Sequence, residues 1–264
     1  MMRDRERTVK SVQLETWCSP EVKTYVQMPN HLAIIPLGSF EQHGPHAPLG
    51  TDTFICFEIC HRLAVKLGGV VLPPVWFSIS PEHMDFAGTV TISADTLSSL
   101  LAEVVLSLQT SGFRKIIILN GHGGNEEYLS KVRERIADKL NPNTALLVLS
   151  YWDRLSPEQR AYLCSLEWGL HANAWETSLI CAIFPSMVRK LKGMKNFPDV
   201  AGVTQLGQIN REQFRNLIRD SSGIWGDPEM ASAKRGRLLL SDIESSLLDF
   251  LSEEFGLSGS SLSS

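Results

Sequence analysis

The chain has 264 residues, 43% of them hydrophobic and 20% charged, with a net charge of −4. That supplies one large apolar core and excludes the basic field that nucleic acid selects. No apolar run approaches the roughly 18–20 residues of a membrane span, and the charged start MMRDRERTVK lacks the apolar stretch of a secretory signal. Five cysteines, Cys18, Cys56, Cys60, Cys164 and Cys181, form no CxxC pair. Cys56 and Cys60 stand four apart in a predicted helix, but the set reads as core thiols of a protein in a reducing cytoplasm.

Along the chain, HLAIIPLG (31–38), GGVVLPPV (68–75), RKIIILNG (114–121) and TALLVLSY (144–151) read as buried strands. Between them, residues 51–68, 93–112 and 125–140 carry helical periodicity, with Ser93 or Asp95 as a cap of the second and Gly112 as its stop. Strand–helix alternation predicts an α/β fold with a mostly parallel sheet and helices on both faces. The expected organisation is one domain over residues 1–255 and a flexible Ser/Gly-rich tail over 256–264.

Two glycine-rich segments follow strands directly, LGSFEQHGPHAPLGTD (37–52) and NGHGGN (120–125), and so are expected at one carboxyl edge of the sheet, where ligands gather. Glu41 and His43 are two apart, a spacing that turns both to one side of an extended segment. Asp52 reads either as the cap of the next helix or as a carboxylate bridging two cations; His46 is placed in the pocket or behind the ligands. His122 lies among Gly121, Gly123 and Gly124, which let backbone approach a ligand. That turn is also compatible with a phosphate cradle, although no P-loop lysine follows. In HANAWETS (171–178), His171 and Glu176 are five apart, which is not the helical pair of HExxH. If His171 precedes the helix and Glu176 lies within it, both can still face one pocket. Trp152 and Trp168 are expected to wall a flat substrate, and His83 either contacts substrate or anchors its own loop. His31 and His61 are read as structural.

Taken together, PLGSFEQHGPHAPLGTD (36–52), LNGHGGN (119–125), VLSYWD (148–153), HANAWETSLICAIFP (171–185) and GIWGDPEMASAKRG (223–236) resemble the creatininase family of amidohydrolases. The resemblance implies a three-layer α/β/α sandwich, one or two divalent ions (Zn, Mn or Fe), a homohexamer, and hydrolysis of C–N bonds in a small amide. It implies Glu41, Asp52 and His122 as ligands of one ion and His43 and Asp52 as ligands of the other. It further implies His171 as the proton-handling residue and Trp152 as a neighbour of the substrate.

The chain departs from the founding enzymes at Gly124, where their NGHYEN carries a carboxylate. Glu176 is the expected replacement, both as ligand and as catalytic residue, and a carboxylate at Gly124 is expected to substitute for it if the turn tolerates a Cβ. The departure points away from creatinine and towards a formamide or peptide-like amide. A metal-dependent hydrolase of a cyclic ketone or lactone, or a catalytically inactive metal-binding subunit, are the alternatives.

Overall fold

A computed structural model describes residues 11–163, 165, 167–200, 209–219 and 221–256. Strands β1 (Leu32–Leu37), β2 (Val70–Val71), β3 (Lys115–Asn120) and β4 (Ala145–Ser150) form a parallel sheet in the order β2-β1-β3-β4. All six residues of β1 are buried, as expected of a strand covered on both faces. Its side chains alternate between two cores. Leu32 and Ile34 join helices α2 (Thr51–Leu67), α6 (Ala174–Ile183) and α8 (Ala233–Phe255). Ala33, Ile35 and Leu37 face α1 (Ser19–Tyr25), α3 (Ala94–Thr110) and α4 (Leu129–Ile136). The chain is therefore a three-layer α/β/α sandwich. Burial of side chains such as Ile34 or Leu63 contributes about 1.5–3 kcal/mol each.

Two local expectations are corrected, and one of the two readings of Asp52 falls. The strand expected over 68–75 narrows to Val70–Val71, because Pro73 and Pro74 cannot donate to a ladder. The helix expected over 125–140 begins as a 3-10 turn, Gly123–Tyr128, and becomes α-helical only as α4; two leading glycines favour no regular helix. Asp52 is not a cap: Gly50 holds the cap position of α2, and Asp52 lies in the first turn with its carboxylate turned elsewhere. Ser93 does cap α3, accepting the Thr96 N–H. Of the cysteines, Cys56 and Cys60 are buried, Cys181 is half-buried and Cys18 is exposed, so Cys18 is no core thiol. Cys164 and residues 257–264 of the tail lie outside the described residues. Among the described residues no helix is long and apolar enough to cross a membrane.

Candidate metal centre

In the parallel register Leu37 of β1 pairs with Asn120 of β3, so the segments that follow leave the sheet side by side. The first carries Glu41 and His43 and runs into α2, whose first turn holds Asp52. The second places His122 in extended backbone. Gly121 is obligatory there, since a Cβ would lie 2.6 Å from that of Cys56. A loop after β2 brings His83 in on a 3-10 turn, Pro81–His83. The remaining two residues arrive on a two-stranded antiparallel ribbon, β5 (Gly169–His171) with β6 (Trp225–Gly226), and on α6. His171 ends β5, Ala172 turns the corner at φ +53°, and Asn173 caps α6 by accepting the N–H groups of Trp175 and Glu176. His171 thus precedes the helix and Glu176 lies within it.

These six segments converge. Asp52 Oδ1 lies 3.0 Å from His43 Nε2, and Oδ2 lies 2.9 Å from His122 Nδ1 and accepts from Ser39 Oγ at 2.7 Å. Glu41 reaches His122 Nε2 at 3.3 Å, His83 Nε2 at 3.4 Å and His171 Nδ1 at 3.8 Å. Glu176 Oε1 is 4.0 Å from His43 Nε2. Three triads have donor atoms within 4.8 Å of one another: Glu41–Asp52–His122, Glu41–His83–His171 and His43–His171–Glu176.

Burial and close pairing shift the carboxyls and imidazoles of the cluster away from their ordinary values. Burial pushes the Glu41 carboxyl up to about 7 against the pull of His122, and does the same for Glu176 against His43. Burial opposes a charge on His43 and His122 as well, but Asp52 outweighs it at His43 and Glu41 with Asp52 at His122, raising them to about 10 and about 9. Burial also works against the Asp52 carboxylate, yet His43 and His122 hold it well below its ordinary value. Burial, reinforced by neighbouring imidazoles, keeps His83 and His171 well below theirs. Neither oxygen of Glu41, at 1% exposure, has a hydrogen-bond partner, and Glu176 Oε2 has none either. Buried carboxylate oxygens without donors are groups that a bound cation satisfies. The oxygen and imidazole donor set suits Zn, Mn or Fe.

A cavity of about 530 Å³ opens onto Glu41, Asp52, His83, His122, Gly123, Gly124, His171 and Glu176. A second, of about 450 Å³, adjoins it at Gly123, Glu126 and Glu176 and is walled by Tyr151 and Trp152. Trp168 lines neither. It stands three residues before His171 and across a left-handed glycine (Gly169, φ +100°), packs edge-on to Tyr162 at 4.8 Å, and borders a separate hollow with Lys195 and Phe197. The expectation that Trp168 walls the substrate is corrected. His46 also stays off the cavity: its Nε2 meets Thr177 Oγ1 at 3.0 Å, and burial lowers its pKa to about 4. His31 lies elsewhere, between the Met28 carbonyl and the Arg114 N–H.

Several site residues carry no signal in the sequence. Arg211 and Phe214, from α7 (Arg211–Arg219), line the larger cavity. Arg211 donates to both oxygens of Glu82 at 3.0 and 2.8 Å and to the Gly124 carbonyl at 2.8 Å, fastening the His83 turn to the His122 turn. Gln42, inside the motif, was visible only by position, since a period of two turns it away from Glu41 and His43.

A parallel α/β sandwich with carboxylates and imidazoles gathered at the strand ends defines a metal-centre hydrolase scaffold. The family model described as creatininase, creatinine amidohydrolase, matches residues 15–251, and the chain belongs to the creatininase family. A mycofactocin precursor peptide peptidase of Mycobacterium tuberculosis is 37% identical over 220 residues, covering 77% of this chain and 78% of that one. A 3-dehydro-scyllo-inosose hydrolase of Thermotoga maritima is 32% identical over 165 residues, and the match spans 60% of this chain and 52% of that protein's length. The crystal structure of a creatinine amidohydrolase superposes with a TM-score of 0.78 at 23% identity, covering 93% of this chain and 98% of that one. The creatinine amidohydrolase and the mycofactocin peptidase among these relatives are hydrolases acting on C–N bonds.

Proposed function

We propose that this chain hydrolyses the C–N bond of a small amide, a formamide or peptide-like amide rather than creatinine, at a centre of one or two divalent ions. Glu41, Asp52 and His122 hold one ion; His43, the shared Asp52 and Glu176 hold the second. The single observation that carries this is Glu41, buried with two unpartnered oxygens at the junction of two triads. When bound, a divalent ion lowers the pKa of water and polarises a carbonyl.

The chain's own residues supply the rest. His171 Nε2 donates to the Gln42 carbonyl at 2.8 Å, so its Nδ1 lone pair faces the centre and can take a proton and return it to the leaving nitrogen. Glu176 lies in the wall common to both cavities and orients what enters from either. Trp152, held by its Nε1–H on Glu126 at 2.6 Å, walls a planar substrate, and Gly123 and Gly124 admit it close to backbone. Family resemblance supports a homohexamer, and the free thiols of the four described cysteines support a cytoplasmic location.

The test is chelation followed by reloading with Zn, Mn or Fe(II), read on formamides, cyclic amides and short peptides. Full turnover by metal-free protein would end the reading, and bound metal without turnover would favour an inactive subunit. His171→Ala is expected to lower kcat by about 10²–10⁴-fold, the range for a general acid–base group, with metal content retained; parallel loss of metal would make His171 a ligand. The Thermotoga relative favours one second reading, a cyclic-ketone hydrolase on the same centre, so cyclic ketones and lactones belong in the panel.

A further inference from the structure

Gln42 lies between two proposed ligands, and the backbone fixes its amide. Its Oε1 accepts the Gly44 N–H at 2.8 Å and its Nε2 donates to the Gly223 carbonyl at 3.1 Å. One partner only donates and the other only accepts, so the amide has one allowed orientation. Gly223, at φ +80°, approaches so closely that any Cβ there would strike the Gln42 amide, which holds it in place.

The second Nε2 hydrogen of Gln42 is directed at His83 Nδ1, 2.9 Å away. That nitrogen must accept, so the ring's proton sits on Nε2, which faces Glu41 Oε1 at 3.4 Å. His171 is set differently. Its Nε2 lies 2.8 Å from the Gln42 carbonyl, which can only accept, so Nε2 carries the proton and Nδ1 is bare towards the centre. The 3.0 Å approach of Gln42 Nε2 to His171 Nε2 is then a contact of two donors and not a bond.

We infer that Gln42 is a positioning residue that gives the adjacent imidazoles of His83 and His171, 4.4 Å apart, opposite polarity at the centre: His83 donates and His171 accepts. Of the triad Glu41–His83–His171, only Glu41 and His171 then present lone pairs. His83 is excluded as a ligand and instead turns its N–H towards the Glu41 carboxylate, 3.4 Å away and outside hydrogen-bond geometry, the place of an outer partner of a ligand. The tautomers rest on hydrogen bonds alone; only the consequence for Glu41 rests on the proposed metal centre.

The test is long-range ¹H–¹⁵N correlation on zinc-loaded, ¹⁵N-histidine-labelled protein, with the His83 signals assigned through His83→Gln. Both rings are expected to carry their proton on Nε2. Gln42→Glu offers an acceptor to His83 Nδ1 and is expected to move a proton there, while His171, bonded to backbone, stays unchanged. Gln42→Met is expected to leave His83 as a mixture and to weaken zinc binding by about 10–100-fold, the range for losing an outer partner. His83→Gln, which supplies an N–H near the place of Nε2, is expected to bind zinc within a few-fold of the parent. A wild-type His83 protonated on Nδ1 would overturn the inference, as would ring signals unmoved in both Gln42 variants. If neither variant folds, the wild-type spectrum decides. A chain that takes up no zinc would refute the proposed centre, yet the same spectrum would still read the His83 tautomer.

Discussion

Glu41 is buried where water does not reach, and neither of its oxygens makes a hydrogen bond. Charge on a buried carboxylate costs several kcal/mol even after relaxation, and the imidazoles 3.3–3.8 Å away offset only part of it, which is why Glu41 is the first residue to test as a ligand. Metal counting on purified, folded variants is expected to show Glu41→Gln and Glu176→Gln losing bound ion as strongly as His43→Ala. Glu176→Gln with a full complement would remove it from the centre. Gly124 supplies no donor of its own, the gap that the proposed ligand Glu176 would fill. An added Cβ there would collide with His122 Nε2 and lie 2.6 Å from the Ile79 carbonyl, so a side chain cannot enter without displacing a ligand. The expectation that Gly124→Glu restores metal is therefore reversed. Gly124→Ala alone should lower metal content, and an Ala variant loading normally would show that the turn yields.

Helix α6 brings Glu176 in through its first turn, and Asn173 fixes that turn. Besides capping, its Nδ2 donates to the Leu163 and Gly169 carbonyls at 2.9 and 3.2 Å, tying the helix start to α5 (Pro157–Leu163) and β5. Asn173→Ala is expected to cost about 1–2 kcal/mol of stability for the cap alone, with weaker metal binding, read by thermal melts of loaded and chelated protein. An equal loss in both forms would show a cap without influence on the centre. The elements themselves were largely legible. Uninterrupted runs such as IIIL in β3 announce a strand covered on two sides, and the spacing of His171 and Glu176 allowed one shared pocket with His171 ahead of the helix and Glu176 within it. What stayed hidden depends on partners remote in sequence. Arg211 finds Glu82 across 129 positions, and nothing in REQFRNLIR signals it. Trp168 was misplaced because a left-handed Gly169 turns the chain, and composition does not reveal a positive φ.

At the scale of the molecule, the centre couples metal, protons and stability. Without metal, His43 and His122 hold protons against buried carboxylates, with pKa values of about 10 and about 9. Raised folded-state values give the metal-free protein stability that is complete below the ordinary imidazole value of 6.5 and is lost as pH rises through about 9 to 10. Ion loading has the opposite sign, since it needs neutral imidazoles and expels their protons. Between pH 6 and about 9, metal affinity should rise while metal-free melting temperature falls, and dye-monitored proton release on zinc addition checks the first. A pH-independent affinity would show that the imidazoles are not ligands.

Asp52 turns one oxygen to His43 and the other to His122, so a single carboxylate belongs to both halves of the centre. Two ions placed there are not independent guests. Asp52 would lend oxygens to both, and whatever one ion did to the affinity of its neighbour would be returned in equal measure. In the proposed two-ion centre, occupancy would therefore not follow two independent isotherms, and damage confined to the His43 side would be felt at His122. The half-loaded form is a distinct species with its own affinity.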